Sequence, residues 1–133
     1  MGCVICENPS GRPKDVLVEL SSSWVTAGRH ACLPGYVCVV SRRHIVEPFE
    51  LDDEGAWWAD CMLVARALNE ELRPVKMNYE IHGNTIPHLH LHLYPRTAED
   101  PFVGQPIDGE ARLFVRSPED LERLHRVILT AAG

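Results

Sequence analysis

The segment Pro87-His88-Leu89-His90-Leu91-His92-Leu93-Tyr94-Pro95-Arg96 carries an imidazole at every second residue for three repeats. Side chains alternate faces along a strand, so His88, His90, His92 and Tyr94 share one face while Leu89, Leu91 and Leu93 line the other. The leucines read as core, and the imidazoles follow one another at about 7 Å. Three readings apply to such a row. The histidines finish a solvated surface; or they ligate a metal such as zinc, for which His-x-His on a strand is a workable pair; or an imidazole attacks phosphorus, forming an N–P bond that water or another acceptor later breaks. A lone histidine favours the first reading. Strict period two in a half-buried strand favours the other two. A nucleophilic histidine must also be neutral at its attacking nitrogen, with its other N–H held by an acceptor.

A second cluster of chemistry lies near the start. Cys3-x-x-Cys6 has the spacing of a metal-ligand pair. Redox motifs share that spacing, but here it lacks the strand before and the helix after that a thioredoxin-like site requires.

The elements that must hold these groups are short. Val16–Leu20 and Ser23–Ala27 read as strands joined by a Ser-rich turn, and Tyr36–Val40 as a buried strand after the Leu33-Pro34-Gly35 turn. Asp52 or Asp53 is placed to cap a long helix that runs to about Arg73, where Pro74 stops it. Trp57, Cys61, Val64, Ala65, Leu68 and Leu72 form its apolar face, and Trp58, Met62 and Leu63 widen that face enough to call for a second partner, such as another subunit. Met77–Ile81 and Leu89–Tyr94 read as strands around a His82-Gly83-Asn84 turn, 97–111 as a Pro/Gly/Asp-rich loop, and Leu113–Val115 as a short strand. Ser117 caps a last helix to about Ala131, with Pro118 in its first turn. The expected class is α+β: an antiparallel sheet, one long helix and a C-terminal helix, in a single domain over 1–133.

Composition narrows the function. The chain of 133 residues is 45% hydrophobic and 24% charged, with a net charge of −6, which argues against a nucleic-acid binder. No stretch is apolar enough to span a membrane, the first fifteen residues lack a signal-peptide core, and five cysteines suit a reducing, cytoplasmic setting better than a disulfide framework. Arg42-Arg43 and Arg96 remain available to a phosphate on a small ligand.

Asn78, then Gly83-Asn84-Thr85-Ile86-Pro87, then His88-x-His90-x-His92 with apolar Leu93-Tyr94 behind it, resembles the signature of the histidine triad (HIT) superfamily. The resemblance takes in most of the chain, from Ser41-Arg42-Arg43-His44 before the long helix to Pro95-Arg96 after the row. It implies a homodimeric nucleotide hydrolase or nucleotidyl transferase acting on adenylate-type substrates, with no organic cofactor. His90 would be the nucleophile at the α-phosphorus. His92 and Asn78 would sit near the phosphate, with Asn84 beside it and Thr85 by the leaving group. Relatives often bind a structural zinc, and the matching places here are Cys3, Cys6, His44 and His88.

In one respect the chain departs from the family. Relatives often hold the ribose with a carboxylate where this chain has Gly28-Arg29. The segment Asp100–Pro106 is similar to one in HIT dinucleoside polyphosphate hydrolases, while nucleoside phosphoramidates stay open as substrates. The alternatives are a HIT-like protein that binds nucleotides without turnover, and a zinc-dependent hydrolase whose histidine row is the catalytic metal site.

Overall fold

The computed structural model describes residues 2–52 and 55–133. Five antiparallel strands form the main sheet: β1 (Val16–Glu19), β2 (Ser23–Thr26), β4 (Val37–Ser41), β6 (His90–Arg96) and β5 (Lys76–Glu80), in that spatial order. A separate two-stranded ladder joins β3 (His30–Ala31) to β7 (Phe114–Val115). The helices are α1 (Ala56–Leu72) and α2 (Pro118–Ala131). This is the expected α+β class.

Alternation sorts the sheet into two faces. Leu91 and Leu93 pair with Val39 and Val37, and all four are fully buried with Val25, Leu89 and the apolar side of α1. Each leucine buried there contributes roughly 2–3 kcal/mol. Leu124 and Ile128 bring α2 onto the same core. The opposite face carries His90 opposite Val40 and His92 opposite Cys38. A smaller cluster of Cys3, Ile5 and Val40 lays the N-terminal segment across part of that face.

Boundaries shift by a residue or two. α1 begins at Ala56 behind Gly55, with no side-chain cap. Asp52 instead pairs with Arg43 at 2.9 Å, and Asp53 lies outside the described residues. Arg73 ends α1 in the left-handed conformation. The α2 cap is as expected: Asp120 N–H donates to Ser117 Oγ and Ser117 N–H to Asp120 Oδ2. Trp57 is buried, whereas Trp58 is half exposed.

Candidate active site and metal cluster

The histidine row divides. β6 starts at His90, so His88 stands just before the strand and its ring turns away from the other two. His88 is fully buried and its Nε2–H donates to the Ser41 carbonyl at 2.6 Å. The Nδ1 lone pair is thereby aimed at Cys3 Sγ (3.5 Å), Cys6 Sγ (3.6 Å) and His44 Nδ1 (3.2 Å), and Cys6 Sγ lies 3.2 Å from His44 Nδ1. All four donor atoms fall within 4.8 Å of one another. Tetrahedral zinc, with bonds of about 2.0–2.3 Å, spaces its nitrogen and sulfur donors by roughly 3.3–3.8 Å. The donor set and spacing are therefore compatible with zinc. Burial also holds His88 below the usual imidazole range, in the neutral form a ligand needs.

His90 and His92 stay together on the open face, ring centroids 4.9 Å apart. His90 Nδ1–H donates to the backbone carbonyl of His88 at 2.6 Å, leaving Nε2 with its lone pair free. Burial, with His90 and His82 nearby, pushes His92 down to about 4, so this ring is neutral near pH 7. Its Nδ1 lies 2.7 Å from the Tyr36 hydroxyl and 3.2 Å from Cys38 Sγ.

Two cavities flank this pair and share Tyr36 and Ile86. One, about 480 Å³, is mostly apolar and runs under the N-terminal segment between Ile5, Val40 and Cys38, with Lys14 and Asn8 at its edge. The other, about 450 Å³, is of mixed polar and apolar character and includes Asn84 and Thr85 on its wall, as well as Glu80, His82 and Glu110. Thus Asn84 and Thr85 join His90 and His92 around one space. Asn78 does not line either cavity: its Oδ1 accepts from Arg96 Nη1 at 3.0 Å. Arg96 is committed as well, through Asp100 at 2.7 and 3.1 Å and the Phe102 carbonyl at 2.7 Å. The expectation that Arg96 meets a phosphate is thus replaced by a clamp on the 97–102 loop.

Several residues of the site were not singled out by sequence reasoning. Cys38 lies on β4, the strand paired with β6, and Tyr36 immediately precedes that strand, so only register and long-range contact reveal that they face His92. His82, in the segment after β5, is exposed and also lines the second cavity. No carboxylate stands at 28–29, but Asp15 comes from the start of β1 to that place. Its Oδ2 lies 3.5 Å from where a β-carbon on Gly28 would stand. Asp15 also adopts a left-handed φ of 58°, a conformation that aspartate tolerates better than most non-glycine residues.

The HIT domain family model matches residues 10–99 of this chain. The chain belongs to the HIT family. The Bacillus subtilis protein hit is 26% identical over 92% of this chain and 88% of its own length. A histidine triad protein from Bradyrhizobium japonicum shares the fold with a TM-score of 0.78 and 24% identity, over 89% of this chain and 90% of that one. A zinc-bound histidine triad family protein from Mycobacterium smegmatis superposes with a TM-score of 0.64 at 25% identity, covering 98% of this chain and 93% of its own. HIT membership supports a nucleotide-binding or hydrolase type of function. No helix among the described residues is long and apolar enough to cross a membrane.

Proposed function

We propose that this HIT protein is a nucleotidyl hydrolase or transferase in which His90 Nε2 attacks the α-phosphorus of an adenylate-type substrate. The observation that carries the reading is the 2.6 Å bond from His90 Nδ1–H to the His88 carbonyl, which leaves the other ring nitrogen bare on the open face. In the first step the Nε2 lone pair forms an N–P bond and the leaving group departs with the P–X electron pair, taking a proton from solvent. In the second, water attacks phosphorus, the N–P bond breaks and the nucleoside monophosphate is released. His92 contacts the phosphate oxygens.

The apolar cavity suits a nucleobase, and the Asp15 carboxylate suits ribose hydroxyls at the place the family fills from elsewhere in the chain. Asn84 and Thr85 flank the departing group. Asn78 acts at one remove, by holding Arg96. The leaving-group side carries Glu80 and Glu110 and no lysine or arginine among its described lining residues. Carboxylates disfavour an extended polyphosphate there and favour a neutral or cationic amine. This tilts the substrate class from dinucleoside polyphosphates toward nucleoside phosphoramidates.

Zinc held by Cys3, Cys6, His44 and His88 would be structural, joining the N-terminal segment to the sheet just ahead of the catalytic strand. With four protein ligands it would supply cross-linking and leave no open position for substrate. With His88 committed to that cluster, a catalytic metal on the whole row is disfavoured. Trp58 on α1 and Tyr79 on edge strand β5 are exposed aromatic residues that suit a homodimer contact.

The test is AMP release from adenosine 5′-phosphoramidate and diadenosine tetraphosphate, with and without inorganic phosphate. Turnover with the phosphoramidate preferred is the expected result. Tight nucleotide binding with no release from either compound would transfer the assignment to a non-catalytic binding protein.

A further inference from the structure

We propose that Tyr36 is a positioning residue that fixes the tautomer of His92, keeping the ring proton on Nε2 so that His92 faces the phosphate as a hydrogen-bond donor. The use made of that donor rests on the nucleotidyl-transfer reading, whereas the tautomer itself does not.

The Tyr36 hydroxyl has one proton to donate, and it lies within hydrogen-bond distance of His92 Nδ1 at 2.7 Å and Cys38 Sγ at 3.1 Å. An imine nitrogen is a much better acceptor than a thiol sulfur, so the O–H donates to His92. The Cys38 thiol then donates to the phenolic oxygen. The reverse arrangement spends the hydroxyl proton on sulfur and turns a lone pair of His92 toward an anionic phosphate.

The two neighbouring rings thereby offer complementary groups. His90 keeps its proton on Nδ1, bound to the His88 carbonyl, and presents a bare Nε2. His92 keeps its proton on Nε2 and presents a donor. A nucleophile for phosphorus and a donor for its oxygens is the pairing that phosphoryl chemistry needs.

Packing holds Tyr36 in place. Its ring stacks on Tyr94, with centroids 4.7 Å apart and planes 7° from parallel, and on His92 at 5.9 Å and 17°. Its carbonyl accepts from Arg116 Nη1 at 2.6 Å, and the same buried guanidinium donates through Nε to the Gly28 carbonyl at 2.8 Å. Gly35, immediately before it, has φ +81°, and a β-carbon there would run into Leu72. The other titratable groups facing His92 are His90 and Tyr94 on β6 and Glu80 and His82 at the end of β5. Among the described residues only Tyr36 and Cys38 make a hydrogen-bond contact with His92 Nδ1.

Long-range ¹⁵N–¹H correlation on the ¹⁵N-histidine-labelled, metal-replete full chain at pH 7 reads the tautomer directly. The expected spectrum has His92 protonated on Nε2 and His90 on Nδ1. Tyr36→Phe keeps the stacked ring without the hydroxyl. In that variant His92 becomes a mixture of tautomers, while kcat for AMP release falls about tenfold and KM changes less than about twofold. Wild-type His92 protonated on Nδ1 would overturn the proposal, and so would an unchanged His92 tautomer in Tyr36→Phe. The wild-type spectrum decides even if the variant fails to fold. A chain that turned over no nucleotide would sink the nucleotidyl-transfer reading and leave the tautomer to be judged on the spectrum.

Discussion

The ring Nδ1 of His90 lies 2.6 Å from the carbonyl oxygen of His88, so the backbone of one histidine fixes which nitrogen of the next is bare. The His88 side chain points the other way, with Nε2 on the Ser41 carbonyl and Nδ1 in the Cys3–Cys6–His44 cluster. One residue therefore links the proposed metal cluster to the proposed nucleophile. This accounts for a row of three histidines serving two purposes, although strand alternation alone puts them on one face.

His88→Ala tests that link. It removes a buried donor set and leaves the Ser41 carbonyl unpaired, so the chain should lose about 3 kcal/mol of stability and its bound zinc. The denaturation midpoint and elemental zinc content measure the two. If both matched the wild type, the cluster would not be a structural metal site. Chelation mild enough to leave the fold intact should spare AMP release.

Stability should also fall with acid. The unfolded chain takes a proton on His92 near pH 6.5, but the folded chain resists until about 4. The unfolded state thus binds more protons between those values. The corresponding stability is complete above about 6.5 and is lost as pH falls toward 4, by up to about 3 kcal/mol. His88 contributes in the same direction. Urea denaturation at pH 7.0, 5.5 and 4.5 should show a shallower decline for His92→Gln than for the wild type. Parallel curves would contradict the buried, neutral state assigned to His92.

The Arg96–Asp100 clamp is nearly dry, with side-chain exposures of 13% and 3%. The guanidinium beside Asp100 holds its carboxyl below the ordinary range. Asp100→Ala leaves Arg96 with an uncompensated charge, and should cost about 3 kcal/mol by denaturant titration. His90 and His92 are not displaced, so kcat at a temperature where the variant is folded should change less than about threefold. A variant as stable as the wild type would mean that the clamp contributes nothing.

Charge on the leaving-group side should set substrate choice. Glu110→Lys is expected to raise kcat/KM for diadenosine tetraphosphate several-fold and to lower it for a phosphoramidate with a cationic amine, because one carboxylate is replaced by a cation. Steady-state kinetics with both substrates check this. Equal changes for both would show that Glu110 does not discriminate between leaving groups.

Much of this architecture is written in local patterns. Leu89, Leu91 and Leu93 alternate with the histidines, and Ser117-Pro118 opens α2, because pleat and capping act over a few residues. Cys3, Cys6, His44 and His88 were named through family resemblance, and folding brings their donor atoms together. What could not be read locally depends on register and long-range contact. Tyr36 reaches His92 across 56 residues, and Asp15 approaches Gly28 from the neighbouring strand. Arg96 looked free to bind phosphate because Asp100 and Asn78 become its partners only after the loop folds back.

The central claim is that His90 forms a covalent bond to the nucleotide. The direct measurement is mass analysis of the chain quenched within milliseconds of mixing with adenosine 5′-phosphoramidate, beside folded, AMP-binding His90→Ala. The account predicts an acid-labile adenylyl adduct on His90 in the wild type, with neither adduct nor AMP release in the variant. AMP release that persists in His90→Ala, or an adduct on another residue, would contradict it.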